Sequence, residues 1–253
     1  MINKQLHTLY FSKLSTGFPC ILQQFRQMRR GENPPAYPLL LKVNEEQYDK
    51  ADLKIMVFGQ ETNSWEHKIC STVTPINQSL EIVEATTCGF MNYYQEFLEK
   101  WGINSPFWYS LKKIKGILSA SLPDKTIEIV WNNIYKIGNK GKSANRPSKS
   151  IRDFENEHFN VIQAEVDILK PNVILFFTGP NYENRVKKIF PIISSAPLIS
   201  NIKEKELSKY QLENCILAYR TYHPNHLQLN KKWGYVEAIC NDLLKQYSIG
   251  YTK

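Results

Sequence analysis

Three kinds of side chain in this sequence stand just past apolar runs and could do chemistry together. They are the carboxylate of Glu61, the amides of Asn132 and Asn133, and the imidazole of His223. In "VFGQETNSW" an acid follows Gly59 and Gln60. A carboxylate there can orient a water or stabilise a developing cation, although an isolated acid in that place is more often a helix cap. In "VWNNIYK" the two amides each pair a donor with an acceptor, the pattern that reads a base edge; two turn residues would look the same. In "YHPNHL" His223 can donate to an oxygen gaining negative charge, and Pro224 stiffens the turn that aims it. A lone histidine is otherwise an ordinary surface or core residue, and His158, near an apolar helix face, is read that way. His7, His67 and His226 carry no placement argument.

The elements that must position these groups follow from periodicity. "LKIMVF" (53–58), "TIEIVW" (126–131), "NVILFF" (172–177) and "CILAYR" (215–220) read as strands, short and rich in β-branched or apolar residues. Between them, "MNYYQEFLEKW", "PFWYSLKKIKGIL" (opened by Pro106 at a first helical turn) and "IRDFENEHFNVIQAEVDILK" read as helices, the last stopped by Pro171. A final helix places Trp233, Val236, Ile239, Cys240, Leu243 and Tyr247 on one side. "FPCILQQFRQMRRG" reads as a further helix, inside an N-terminal stretch that is hard to place. Strands alternating with helices imply an α/β fold, a three-layer αβα sandwich around a central, mainly parallel four-stranded sheet. Residues 1–50 are expected to form an N-terminal extension and 51–253 the α/β domain. In such folds ligands bind beyond the carboxyl ends of the strands, and each of the four strands empties polar residues there.

Bulk properties narrow the class. The chain has 253 residues, 42% of them hydrophobic, enough for one substantial core. No apolar run approaches the roughly 20 residues of a membrane span, and "MINKQLHTLYFSKLSTGFPC" lacks the apolar segment of a secretion signal. Five scattered cysteines without a C-x-x-C pair argue against a zinc ribbon or a cluster fed by a close pair, and suggest reduced thiols in the cytoplasm. The net charge is +8, and no acid falls between Glu128 and Asp153. That interval holds the Gly-, Asn- and Ser-rich "KIGNKGKSANRPSKSIR", with Lys140, Lys142 and Arg146, a basic loop suited to tracking phosphates. A merely solvated basic loop fits the composition equally well.

Together these pieces resemble the uracil-DNA glycosylase superfamily, from about Leu53 to the C-terminal helix. "VFGQETNSW" is similar to its first motif, a strand followed by G-Q-D-P-Y in one branch. "VWNNIYK" is similar to the strand that ends in a base-reading asparagine, "PNVILFFTG" to the third strand with its glycine turn, and "YHPNHL" to the H-P-S-x-L motif. Four such pieces fall in order, each at the end of an expected strand. The resemblance implies a monofunctional DNA glycosylase that flips a pyrimidine out of DNA and hydrolyses its N-glycosidic bond. Glu61 takes the place of the water-positioning carboxylate and His223 that of the group bonding the departing base. Gln60 and either Asn132 or Asn133 would contact the base. Gly179 and Asn225 would approach the DNA backbone, and Leu227 stands where the family has the wedge that fills the emptied stack. No metal or cofactor is implied. The partner is DNA, and a monomer is expected.

The sequence departs from that pattern after its acid. Thr62 and Asn63 stand where the best-known branch has a proline and a tyrosine, and that ring is the family's gate against substituents at C5. Its loss widens the expected substrates from uracil to 5-substituted pyrimidines, the hypermodified cytosines of phage DNA among them, with Asn63 able to hydrogen-bond a polar substituent. The role implied is base-excision repair or antiphage defence. The alternative is a catalytically inactive nucleic-acid-binding module of the same fold. Retention of an acid, an amide and a histidine at three strand ends favours the enzyme, since a binder needs only the basic loop. An unrelated hydrolase or nucleotide-binding protein ranks last, because no G-x-S-x-G, P-loop or G-x-G-x-x-G is in place.

Overall fold

The computed structural model describes residues 1–16, 22, 34–62, 65, 79–100, 105–139, 146–213 and 216–248. In chain order its elements are α1 (Ile2–Leu14), α2 (Glu45–Lys50), β1 (Leu53–Glu61), α3 (Leu80–Lys100), α4 (Pro106–Ser121), β2 (Ile127–Tyr135), α5 (Lys149–His158) and α6 (Ile162–Leu169). There follow β3 (Val173–Phe176), α7 (Glu183–Ile189), β4 (Ile192–Pro197), β5 (Leu207–Leu212), β6 (Leu217–Thr221), α8 (Pro224–Leu229) and α9 (Gly234–Ser248). The chain forms two compact units. One comprises Met1–Val43, Glu61–Trp101 and Tyr135–Leu169, the other Asn44–Gln60, Gly102–Ile134 and Lys170–Lys253.

The fold is α/β, built on a mixed six-stranded sheet in the order β2-β1-β3-β6-β5-β4. β1, β3 and β6 run parallel, with Ile55 opposite Val173 and Val173 opposite Leu217. The central residues of β1 and β3 are apolar without alternation and fully buried, the pattern of strands covered on both faces. Phe58, Phe176 and Phe190 close this core, their ring centroids 5.2–5.5 Å apart.

The expected four strands are all present, but two more join them, which corrects the four-stranded reading. β5 pairs antiparallel with β6, and β4 with β5. The signal for these strands is weak for a physical reason. β4 is largely exposed, carries two serines and ends in Pro197, as an edge strand can. The chain around β5 is held partly by a charge rather than by apolar packing. The buried Arg220 of β6 donates to the carbonyls of Glu204 and Lys205, to Ser208 Oγ and to Tyr210 Oη.

In the first unit α1 packs against α3 and α6. The single long helix expected over 151–170 is two, α5 and α6. Phe159 and Val161 lie between them and both are buried. One unbroken helix would turn these two residues about 200° apart, so the break lets both reach the core. A buried polar cluster binds the unit: Lys136 Nζ meets Glu165 Oε1 at 2.7 Å, and Tyr10 Oη donates to the same oxygen at 2.6 Å. Burial lowers the Lys136 pKa, against the raising effect of Glu165.

Candidate functional site at the carboxyl ends of the strands

β2 does not end before its asparagines. It runs through Asn132 and Asn133 to Tyr135, and both amides are buried within the strand rather than displayed in a turn after it. Successive strand residues face opposite sides of a sheet, so only one of the pair shares a face with Trp131. That one is Asn133, whose Oδ1 accepts from Trp131 Nε1 at 3.2 Å. Asn132 turns its Oδ1 back onto the backbone N–H of Asn133.

The Trp131 bond settles which way the Asn133 amide points. With Oδ1 taken by an N–H donor, Nδ2 is the end left over, and it is buried with no hydrogen-bond partner among the described residues. Such an orphaned donor costs roughly 1–3 kcal/mol. Reversing the amide would set two donors against each other at Trp131, so the orientation is fixed.

Gly59 of β1 makes room for this amide. A Cβ on Gly59 would stand 2.5 Å from Asn133 Oδ1 and 3.3 Å from the Phe107 ring. Phe107 sits at the start of α4, where Ser105 caps the helix by accepting from Trp108 N and Pro106 occupies the first turn. Its ring lies against Trp131 and Phe177 edge-on and is stacked with His223, centroids 5.8 Å apart at an interplanar angle of 21°.

"His-Pro" opens a helix rather than closing a turn. His223 is the cap of α8, Pro224 takes its first position, and the backbone N–H of Asn225 donates to His223 Nδ1 at 3.3 Å. Burial pushes the His223 pKa down to about 4. The ring is therefore neutral near pH 7, and because Nδ1 accepts, the proton resides on Nε2. Nε2–H makes no hydrogen bond among the described residues. The result is a neutral donor, suited to an anion whose conjugate acid is itself weak.

Gln60 spends its amide N–H on the Thr178 carbonyl at 2.9 Å, tying the ends of β1 and β3. The Thr178 hydroxyl is buried without a partner among the described residues. Gly179 is buried with φ +69°, a conformation that favours glycine, and its N–H donates to Thr221 O at 3.0 Å, joining the ends of β3 and β6. The second unit thus brings together Gly59, Phe107, Trp131, Asn133 and His223, with Gln60 and Thr178 joined by their own hydrogen bond.

The remaining expected residues are placed as follows. Glu61 is the last residue of β1, half-buried, and belongs to the first unit. Thr62 is buried and accepts from Gly138 N–H at 3.1 Å. Asn225 and Arg146 are exposed, while Asn63, Lys140 and Lys142 lie outside the described residues. Leu227 requires correction as a wedge: it is 0% exposed, because α8 packs on α4 and Leu227 belongs to the inward side. Leu229, two residues on, is 83% exposed. Phe107, Trp131 and Thr178 were absent from the sequence reading. Trp131 alone had a legible signal, lying two residues before Asn133 and so on the same strand face.

No protein-family model and no curated protein matches the chain.

Proposed function

We propose that this protein is a DNA glycosylase that extrudes a 4-keto pyrimidine, uracil or a 5-substituted uracil, and hydrolyses its N-glycosidic bond. The observation that carries this reading is the fixed, orphaned Nδ2 donor of Asn133, whose amide shares the space over Gly59 with the Phe107 ring. A base stacked on Phe107 and presenting a carbonyl oxygen satisfies that donor. The 4-amino group of a cytosine would oppose donor to donor, which leaves the hypermodified cytosines outside the preferred class. In this reading the rest of the α/β domain is the three-layer αβα scaffold that holds these strand ends.

Flipping a nucleotide costs a few kcal/mol. Arg146 offsets part of this by holding a phosphate, and the exposed Leu229 takes the wedge role that the buried Leu227 cannot. As the glycosidic bond lengthens, its electron pair moves to the base and the sugar becomes oxocarbenium-like. His223 donates the Nε2–H hydrogen bond to the departing base anion and stays neutral. Glu61, directly after Gln60 in the chain, orients the water that adds to the sugar carbon and stabilises the cation. Gln60, its side-chain N–H already spent on Thr178, contributes through its backbone.

The test is abasic-site formation, read by alkaline strand cleavage, on duplexes carrying uracil, 5-hydroxymethyluracil, cytosine or 5-hydroxymethylcytosine. Release of the two keto bases alone is expected, and Glu61→Gln should slow it roughly 10²–10⁴-fold with DNA binding retained. Tight DNA binding with no release of any base would instead favour the inactive binding module. Preferential release of the amino bases would remove the Asn133 argument.

A further inference from the structure

A second chemical cluster lies in the first unit, on the facing sides of α1 and α3, and takes no part in the reading above. Glu84 and Cys88 are one turn apart on α3 and so share a face. His7 reaches them from α1. His7 Nε2 stands 3.0 Å from Glu84 Oε1, Cys88 Sγ stands 3.8 Å from the same oxygen, and all three donor atoms lie within 4.8 Å of one another. The imidazole and the carboxylate do not simply bond each other. His7 Nε2 is buried and makes no hydrogen bond among the described residues, although Oε1 is so near. Its direction misses the oxygen, as happens when donor atoms converge on a point between them. His7 is itself steadied by stacking on Phe11, with ring centroids 6.0 Å apart.

We infer that His7, Glu84 and Cys88 form a binding site for a Zn²⁺-class divalent ion that clips α1 to α3. The donor set is one nitrogen, one oxygen and one sulfur, which suits a borderline ion and not Mg²⁺ or Ca²⁺ with their demand for oxygen ligands. Ligand bonds of about 2.0–2.3 Å in a tetrahedron set the donors about 3.3–3.8 Å apart. The observed distances, 3.0 Å and 3.8 Å from Glu84 Oε1 and none above 4.8 Å, bracket that range. Three protein ligands leave the fourth position to water. Binding is coordination: Cys88 enters as thiolate, its proton passing to solvent. The spacing of cysteines in the sequence could not show this site, since its ligands come from two helices more than 70 residues apart and include only one cysteine.

The experiment is titration of the full-length, chelator-treated protein with Co²⁺ alone, then displacement by Zn²⁺. We expect one equivalent of Co²⁺, with visible bands of tetrahedral intensity and a near-ultraviolet thiolate-to-cobalt band. Cys88→Ser abolishes the thiolate band. His7→Gln and Glu84→Gln weaken binding by more than the roughly 10–100-fold that outer-shell changes cost. Zn²⁺ raises the melting temperature of the wild-type protein and not of His7→Gln, with circular dichroism confirming that each variant is folded. A thiolate band that survives Cys88→Ser belongs to another cysteine and overturns the assignment. So does wild-type affinity in His7→Gln, or the absence of Co²⁺ uptake by the wild-type protein. None of these readouts depends on glycosylase activity.

Discussion

Replacing Gly59 with alanine perturbs the site through one methyl group. The new Cβ would stand 2.5 Å from Asn133 Oδ1, whereas real Cβ atoms essentially never approach within 3.0 Å, so the amide must give by at least about half an ångström. It cannot simply swing aside, because Trp131 Nε1 holds the same oxygen at 3.2 Å and the Phe107 ring, 3.3 Å from the new carbon, blocks the other direction. Overpacking of this kind costs about 1–3 kcal/mol. At about 2–4 °C per kcal/mol for a chain of this length, the melting temperature should fall by about 2–12 °C. A positioned group displaced by up to 1 Å costs about 10²-fold in rate, so single-turnover base release should fall by about that factor. Asn133→Ser supplies the control. It removes the clashing oxygen, and in that background Gly59→Ala should add almost nothing to the loss of stability, a coupling of about 0.5–3 kcal/mol. A Gly59→Ala protein that melts within about 1 °C of wild type, with unchanged release, would show that Asn133 does not occupy the place on which the base-reading argument depends.

Other perturbations separate the roles of individual groups. Native His223 is held neutral down to about pH 4, while the unfolded chain binds its proton near the ordinary 6.5. Between those values the unfolded state holds more protons, so this group's contribution, complete above pH 6.5, is lost as pH falls toward 4. Urea midpoints at pH 7, 6 and 5 should therefore decline less steeply in His223→Gln than in wild type, and parallel declines would contradict the burial argument. In the first unit, Glu165→Gln removes the charge bonded to the fully buried Lys136 ammonium and should cost about 3–5 kcal/mol in urea denaturation; Lys136→Met with Glu165→Leu should recover only part of it, because Tyr10 Oη then loses its acceptor. Leu227→Ala should cost about 2–5 kcal/mol as a cavity. Leu229→Ala should leave stability within about 0.5 kcal/mol and slow base release from duplex more than from single-stranded DNA. Equal rates on duplex DNA for wild type and Leu229→Ala would deny that side chain the wedge role.

The central strands were legible because burial on both faces leaves a plain mark: "IMVF" (55–58) and "VILFF" (173–177) contain no charged residue. Strand order and the β4–β5 hairpin were not legible, since an exposed edge strand has no apolar face to display and Arg220 organises its neighbours through hydrogen bonds. The two asparagines were found but misplaced. Polar residues in "WNNIYK" read as a strand's end, yet Asn132 and Asn133 are buried inside β2, where the backbone ladder and Trp131 compensate part of their desolvation. Phe107 escaped notice because a capped helix start explains "SPFW" locally, and only the tertiary contact with His223 gives that ring a further use. Leu227 was misread because the H-P-x-x-L spacing says nothing about which side of a six-residue helix meets α4.

Two buried polar atoms bear on the choice between a cutting enzyme and a binder. Asn133 Nδ2 and Thr178 Oγ1 are both without partners among the described residues, in the unit that carries the strand ends. Together they cost roughly 2–6 kcal/mol at about 1–3 kcal/mol each. That is a large share of the roughly 5–15 kcal/mol that holds a domain folded. A module that only tracked phosphates would need neither, because phosphate contacts are made by exposed cations and backbone amides. Replacing Asn133 by leucine removes the unmet Nδ2 but also takes the acceptor from Trp131 Nε1, so the burden is relieved only where Trp131→Phe has already removed that N–H. A buried amide, held by Trp131 at one end and unmet at the other, makes physical sense if a ligand brings the missing acceptor. In a Trp131→Phe background, Asn133→Leu should therefore melt no lower than Trp131→Phe alone and yet release no uracil. A clear drop in melting temperature from Trp131→Phe to the double variant would mean that the amide is already satisfied in the free protein, and would remove the strongest physical reason for placing a base there.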